Sequence, residues 1–195
     1  MTIAFVLGNG VSRQLVDLAK LSLCGKVYGC NGLYREFAPA VLVSTDTPIS
    51  LHIQNSGYSK TQVHYTRKPL PGFGAQQIPR EYYAFSSGPA AAGIATTNGH
   101  YCIYLLGFDL GPNTTGKFNN VYADTEFYKK SSAIATYSGN WVRQLTTVMT
   151  DNPGVRFCRV QGSTTADIAA FDTVGNLVHM SIADFLDRIN NTKDL

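Results

Sequence analysis

Charge is what this sequence has least of. Asp, Glu, Lys and Arg make up 15% of its 195 residues, against roughly a quarter in an average soluble domain. The balance of 16 Lys and Arg against 13 Asp and Glu leaves a net charge of +3. That excess is too small and too scattered for a nucleic-acid groove, which needs basic residues clustered on one face. Long apolar runs are also missing. Apolar runs such as Ala40–Val43 and Ile103–Leu106 span only a few residues, far short of the roughly 20 residues of a membrane-spanning helix. The four cysteines, Cys24, Cys30, Cys102 and Cys158, form no C-x-x-C pair and no zinc-type cluster with histidine, so they read as reduced thiols rather than metal ligands. No basic stretch precedes the apolar start Thr2–Leu7, which reads as a first strand and not a signal peptide. No G-x-G-x-x-G is present, because Arg13 stands where the third glycine belongs, and there is no P-loop. No D-x-D or other paired carboxylate suggests a metal.

What is present is an ordinary apolar share, 44%, with 18 glycines and abundant Thr, Asn and Ser. This is enough for one core and excludes a disordered chain. A single domain over 1–195 is expected. Thr2–Leu7, Lys26–Cys30, Ala40–Thr45, Thr61–Tyr65, Tyr101–Phe108 and Val155–Val160 read as strands, and Asn176–His179 as a late short one. Arg13–Leu23, with Ser12 as cap, has helical apolar spacing, as do Tyr137–Thr150 and the amphipathic Ser181–Ile189; Thr47–Gln54 reads as a shorter helix. Ser87 and Pro89 open an Ala-rich helix through Thr96. Strand and helix alternate, so the expected fold is α/β and Rossmann-like. It has a mostly parallel sheet, helices on both faces, and an irregular lid-like insertion at about 66–84, rich in proline and glycine.

The polar residues have an address in this scheme. Apolar runs end in Gly8-Asn9-Gly10, Cys30-Asn31, Thr45-Asp46 and Gly107-Phe108-Asp109, and Ser86-Ser87-Gly88 opens a helix. In an open parallel sheet the carboxyl ends of the strands share one edge, where ligands bind. Glycines admit a close backbone approach, helix starts offer N–H groups to an anion, amides suit a base edge or ribose, and Asp46 can accept sugar hydroxyls. The set reads as a site for a nucleotide plus sugar.

The segments Phe5-Val-Leu-Gly-Asn-Gly-Val-Ser12, Val27-Tyr-Gly-Cys-Asn31 and Ser86-Ser-Gly88, leading to Ile103-Tyr-Leu-Leu-Gly-Phe-Asp109, resemble the bacterial sialyltransferases of glycosyltransferase family 42. They are also similar to the group containing archaeal 6-hydroxymethylpterin diphosphokinases (domain of unknown function 115), and to phage-encoded proteins sharing G-N-G-x-S-R and G-C-N-x-L-Y-R. The resemblance covers about residues 3–46 and 84–124. It implies a cytidine nucleotide against Asn9 and Asn31, Ser86 or Ser87 at its ribose or phosphate, and Tyr122 on the phosphate. It further implies a CMP-linked sugar as substrate, with no required cofactor. Asp46 departs from the family's Asn.

One departure bears on chemistry. Asn140 stands where the family places its general-base histidine, and an amide cannot accept a proton at neutral pH. His52, His64, His100 and His179 are isolated, and His64 is the one to test as a replacement base. Tyr122, Tyr128 and Lys129-Lys130 form a candidate phosphate clamp. Three readings stay open: a metal-independent glycosyltransferase; a diphosphokinase-like phosphoryl transferase with Mg²⁺ on Asp46 or Asp109; and a non-catalytic phage structural or accessory protein. The expected compartment is the cytoplasm, or the virion for a phage-encoded chain. The neutral surface, with Thr and Asn in the loops after Asp109, suggests a homo-oligomer or virion assembly.

Overall fold

Short β-prone runs buried on both faces build the sheet. In the computed structural model, which describes residues 2–191, eight parallel strands take the order β5-β4-β3-β2-β1-β6-β7-β8. They are β1 (Ile3–Leu7), β2 (Lys26–Cys30), β3 (Val41–Ser44), β4 (His64–Thr66), β5 (Gln76–Gln77), β6 (Cys102–Leu106), β7 (Arg156–Gln161) and β8 (Leu177–Ser181). Met1 and residues 192–195 of the expected domain lie outside the described residues. Within β1, Ala4 and Val6 point to one core, and Phe5 and Leu7 to the other. The first core is closed by α3 (Ser87–Thr97) and α4 (Gly139–Asp151), the second by α1 (Leu18–Cys24), α2 (Thr47–Asn55) and α5 (Ile182–Asn190). Burying a Phe, Leu or Ile on either side contributes about 2 kcal/mol. The expected α/β fold with helices on both faces is therefore the observed one.

Strand order runs outward from β1 in both directions, β2 to β5 on one side and β6 to β8 on the other. The chain's first return to the other side of β1 comes at β6, so the switch point lies between the carboxyl ends of β1 and β6. There the two loops touch backbone to backbone. Gly8 N–H donates to the Leu106 carbonyl at 2.8 Å, and Gly10 N–H to the Gly107 carbonyl at 2.9 Å. A Cβ on Gly8 would stand 2.5 Å from the Gly107 oxygen. Glycine is needed at position 8 for this seam, whatever a ligand requires.

Three expected elements differ. The helix expected over Arg13–Leu23 is split into a 3-10 turn, Val11–Leu15, and α1. Val16 is extended, and the Asp17 carboxylate caps α1 by accepting from Lys20 N–H at 3.1 Å. The apolar spacing was real, but a strong cap residue in its middle restarts the helix. Ser12 is accordingly not a cap. Its hydroxyl donates to Asp109 instead. The N-cap of α3 is Ser86, one residue before the expected Ser87, and Pro89 falls in the first turn. The 66–84 insertion is irregular, but it carries β5, which pairs with β4, and it is tied down. Arg67 donates to the carbonyls of Tyr83 and Phe85 at 2.9 Å each, and the Gln54 side chain accepts from Leu70 N–H at 2.7 Å.

Gly8→Ala should lower stability by about 2 kcal/mol, since backbone cannot retreat from the added methyl group. Gly154→Ala, whose Cβ would meet nothing within 4 Å, should be neutral or mildly stabilising. Urea unfolding midpoints compare the two, and equal effects would contradict the seam.

Candidate functional site at the switch point

Beneath the seam the Asp109 carboxylate, 3% exposed, collects donors from three segments. It accepts from Ser12 N–H at 3.1 Å and from the Ser12 hydroxyl. The Asn119 amide donates at 3.1 Å, the Thr164 hydroxyl at 2.6 Å and the Thr165 hydroxyl at 3.2 Å. Arg159, 1% exposed, donates to the Phe108 and Asp109 carbonyls rather than to the carboxylate. Burial pulls its pKa down to about 10, which leaves it charged at neutral pH. The floor between β1 and β6 is thus fixed by hydrogen bonds whose loss would strand buried polar groups.

A cavity of about 320 Å³ opens on this floor. Gly8, Asn9, Gly10, Asn31, Asp46, Ser86, Ser87 and Gly88 all line it, so the strand-end clusters meet in space. The Ser87 hydroxyl is the polar centre of the β3 and α3 side. It accepts from Thr45 N–H at 3.0 Å, lies 2.9 Å from the Thr45 hydroxyl, and donates to the Asn31 amide oxygen at 2.9 Å. Ser86 caps α3 by position only, since its side chain accepts no cap hydrogen bond. Among the described residues no acceptor takes the Ser87 and Gly88 N–H groups, which is the usual condition of a helix start and favours an anion there. The Asn9 amide donates weakly to the Tyr128 hydroxyl at 3.4 Å. Asp46 is exposed, and its carboxylate is free of hydrogen bonds among the described residues. Among the described residues Lys129 is the one cation in the wall, with its ammonium 3.2 Å from the Thr136 hydroxyl.

The far wall comes from the long segment between β6 and α4, which supplies Phe118, Asn119, Asn120, Phe127, Tyr128, Lys129 and Thr136. Sequence reasoning read its Asn and Thr residues as an assembly surface. The structure gives some of them another task. The Asn119 amide oxygen accepts from Val11 N–H at 2.9 Å, and Asn120 accepts from Tyr122 N–H at 2.9 Å. The Asn119 bond, with Val121 N–H donating to the Asn9 carbonyl at 2.8 Å, pins the segment across the β1 loop, and Asn120 braces the segment locally. Sequence spacing places Trp141 on the apolar face of its helix and assigns no role to Phe118 or Phe127, because nothing in that spacing ties them to strands far away. Strain gathers here as well. Among the described residues four non-glycines have a left-handed φ, and three of them, Asn31 (49°), Leu110 (54°) and Phe127 (71°), line the cavity. Such residues persist where surrounding structure over-determines them, and they cluster at ligand sites.

Four expected site residues do not reach the cavity. Ser12 lies under it on Asp109. Tyr122 is buried, donating to Glu36 at 2.5 Å and accepting from Arg13 at 2.8 Å; burial raises its pKa far out of reach, with Glu36 adding to the effect and Arg13 opposing it. Its hydroxyl is spent on the fold. Burial works against the Glu36 carboxylate too, yet hydrogen bonds from Tyr122 and Arg13 hold it below the ordinary value. Asn140 is exposed at the start of α4 and is not part of the wall, although its neighbour Trp141 is. His64 is fully buried, with Ser44 Oγ 2.7 Å from Nε2 and Ser59 Oγ 2.7 Å from Nδ1. Desolvation lowers its pKa to about 4, and it touches no part of the cavity, so it is not the site's base. Of the two carboxylates expected to hold Mg²⁺ under phosphoryl transfer, Asp109 is filled by protein donors, leaving Asp46. Among the described residues no group of three or more His, Cys, Asp or Glu comes together. No helix there is long and apolar enough to cross a membrane.

Fold and cavity together define a doubly wound α/β protein with a crevice at its switch point, the class in which this position binds ligands. No family model matches the chain, and a search of curated proteins finds no significant match. Among solved structures, the chain is similar to the sialyltransferase CstII from Campylobacter jejuni, solved with the substrate analogue cytidine-5'-monophosphate. The TM-score is 0.48 at 14% identity, covering 90% of this chain and 84% of that one. A likeness of that degree does not argue for shared chemistry.

The unfolded chain protonates His64 near pH 6.5, the folded protein only near 4. The stability that neutral His64 contributes is complete above pH 6.5 and is lost as the pH falls toward 4, by up to about 3 kcal/mol. Burial also holds His100 and His179 below their ordinary value, so they act in the same direction. His64→Gln should therefore lose less stability than wild type between pH 7 and pH 4.5 in urea unfolding. Equal losses would contradict the buried neutral ring.

Proposed function

We propose that the switch-point cavity binds the nucleoside monophosphate portion of a nucleotide sugar, and that the protein is a glycosyltransferase-like enzyme working without a histidine base. The observation that carries this reading is the convergence of Asn9, Asn31, Ser86 and Ser87 with the free N–H groups of α3 in one cavity. Amides suit a base edge or ribose, and the helix start suits one phosphate. The electrostatics favour a weakly charged ligand. Among the described residues Lys129 is the single cation in the wall, set against the carboxylates of Asp46 and Asp109. A nucleoside triphosphate would bring several negative charges with too little to neutralise them, whereas a phosphodiester such as a CMP-sugar brings one on its phosphate. Asp46, unsaturated and exposed, is the acceptor for sugar hydroxyls. Leaving-group stabilisation falls to the α3 N–H groups and Lys129.

Trp141 is the only tryptophan and lines the cavity, so its fluorescence reports occupancy directly. Titration with CMP, AMP, GMP and CTP should give saturable quenching with one base class and weaker binding of the triphosphate. Asn31→Gly keeps a residue that tolerates φ 49° while removing the amide, and should weaken binding about five- to tenfold. A Trp141 signal and melting temperature unmoved by every nucleotide at millimolar concentration would overturn the reading. Hydrolysis of a CMP-sugar, sensitive to Asn31→Gly and insensitive to EDTA, would assign the transferase chemistry.

A further inference from the structure

Two arginines belong to the motifs that carry the cavity's amides, Arg13 in G-N-G-V-S-R and Arg35 in C-N-G-L-Y-R. Neither lines the cavity. Both reach the same stretch of the far wall. Arg13, buried, holds its beginning through the Tyr122 hydroxyl at 2.8 Å and is itself fixed by Glu36 at 2.9 Å. Arg35 lies outside, on the solvent side. Its guanidinium donates to the Thr125 hydroxyl at 3.0 Å and to the Glu126 carbonyl at 3.1 Å. The same group stands 5.7 Å from the Phe127 ring centroid, 5.9 Å from Tyr128 and 6.0 Å from Tyr34. One side chain therefore grips four consecutive residues, 125 to 128.

That grip falls where the wall needs it. Residues 122–130 form no helix or strand of their own. Phe127 is held at φ 71°, a conformation that its own backbone disfavours. The Tyr128 hydroxyl accepts from Gly32 N–H at 2.8 Å, next to Asn31. Release of Phe127 and Tyr128 would open the cavity beside Asn31. We propose that Arg35 is a positioning residue, an external latch that sets the aromatic wall and thereby governs how fast a bound ligand leaves. The ligand part of this inference rests on the nucleotide reading above. The part concerning the wall rests on the contacts alone.

Amide hydrogen exchange, read by mass spectrometry over peptides spanning 120–131, tests the latch without a ligand. Arg35→Ala should speed exchange there on the order of tenfold while leaving the sheet strands unchanged. Arg35→Lys keeps the charge but loses the two-pronged donor and should recover only part of the protection. Arg143→Ala, an exposed basic residue on α4, should change nothing. With CMP as probe, stopped-flow Trp141 fluorescence should show faster dissociation from Arg35→Ala by a similar factor. Exchange over 120–131 within twofold of wild type in Arg35→Ala would overturn the proposal, as would acceleration spread evenly over the sheet. Full protection in Arg35→Lys would overturn the two-pronged grip. If wild type ignores CMP, the nucleotide reading fails and the exchange result still decides the latch.

Discussion

The Asp109 carboxylate is the tie on which the site depends. Buried at the end of β6, it gathers Ser12 from the β1 loop, Asn119 from the far wall, and Thr164 and Thr165 from the loop after β7. Above it the backbones of Gly8 and Gly107 come so close that no side chain fits on Gly8. A doubly wound sheet leaves a gap where strand order reverses. Here the gap is narrowed at its base by this seam and walled by the segment that Asn119 and the Val121 N–H draw across. A buried carboxylate satisfied by neutral donors is costly to disturb, so the cavity floor is rigid, while the outer wall hangs on surface contacts.

This division explains why so little charge can still build a polar site. Among the described residues only one cation and one free carboxylate face the cavity. The remaining polarity comes from amides, hydroxyls and the N–H groups at the start of α3, held in a network centred on Ser87. Such groups select by geometry and direction rather than by net charge. They suit a ligand rich in hydroxyls and ring nitrogens and poor in charge. The scarcity of Asp, Glu, Lys and Arg in the sequence is consistent with a site of that kind.

Local signals made the sheet legible. β-prone runs ending in Gly, Asn or Asp mark β1, β2, β3 and β6, and the convergence of Asn9, Asn31, Asp46 and Ser87 follows from strand parallelism alone. What was not legible depends on contacts between distant segments. Tyr122 and His64 were attractive by residue type, yet both are buried and occupied, one by Arg13 and Glu36, the other by two serine hydroxyls. The helix break at Asp17 was visible as a capping residue, but apolar periodicity masked it. Phe118, Phe127 and Trp141 could not be assigned to the cavity without knowing how the long segment after Asp109 folds back. Arg13 and Arg35 stand in the sequence only as members of the shared motifs, and the structure shows that they serve the opposite wall.

The central claim is that the switch-point cavity is a nucleotide site. A crystal structure of the protein soaked with CMP tests it most directly. The account predicts the phosphate at the Ser87 and Gly88 N–H groups and the nucleoside within hydrogen-bonding distance of Asn9 or Asn31, beside the Phe127 and Trp141 wall. CMP bound elsewhere, or a cavity holding only solvent at saturating CMP, would contradict it.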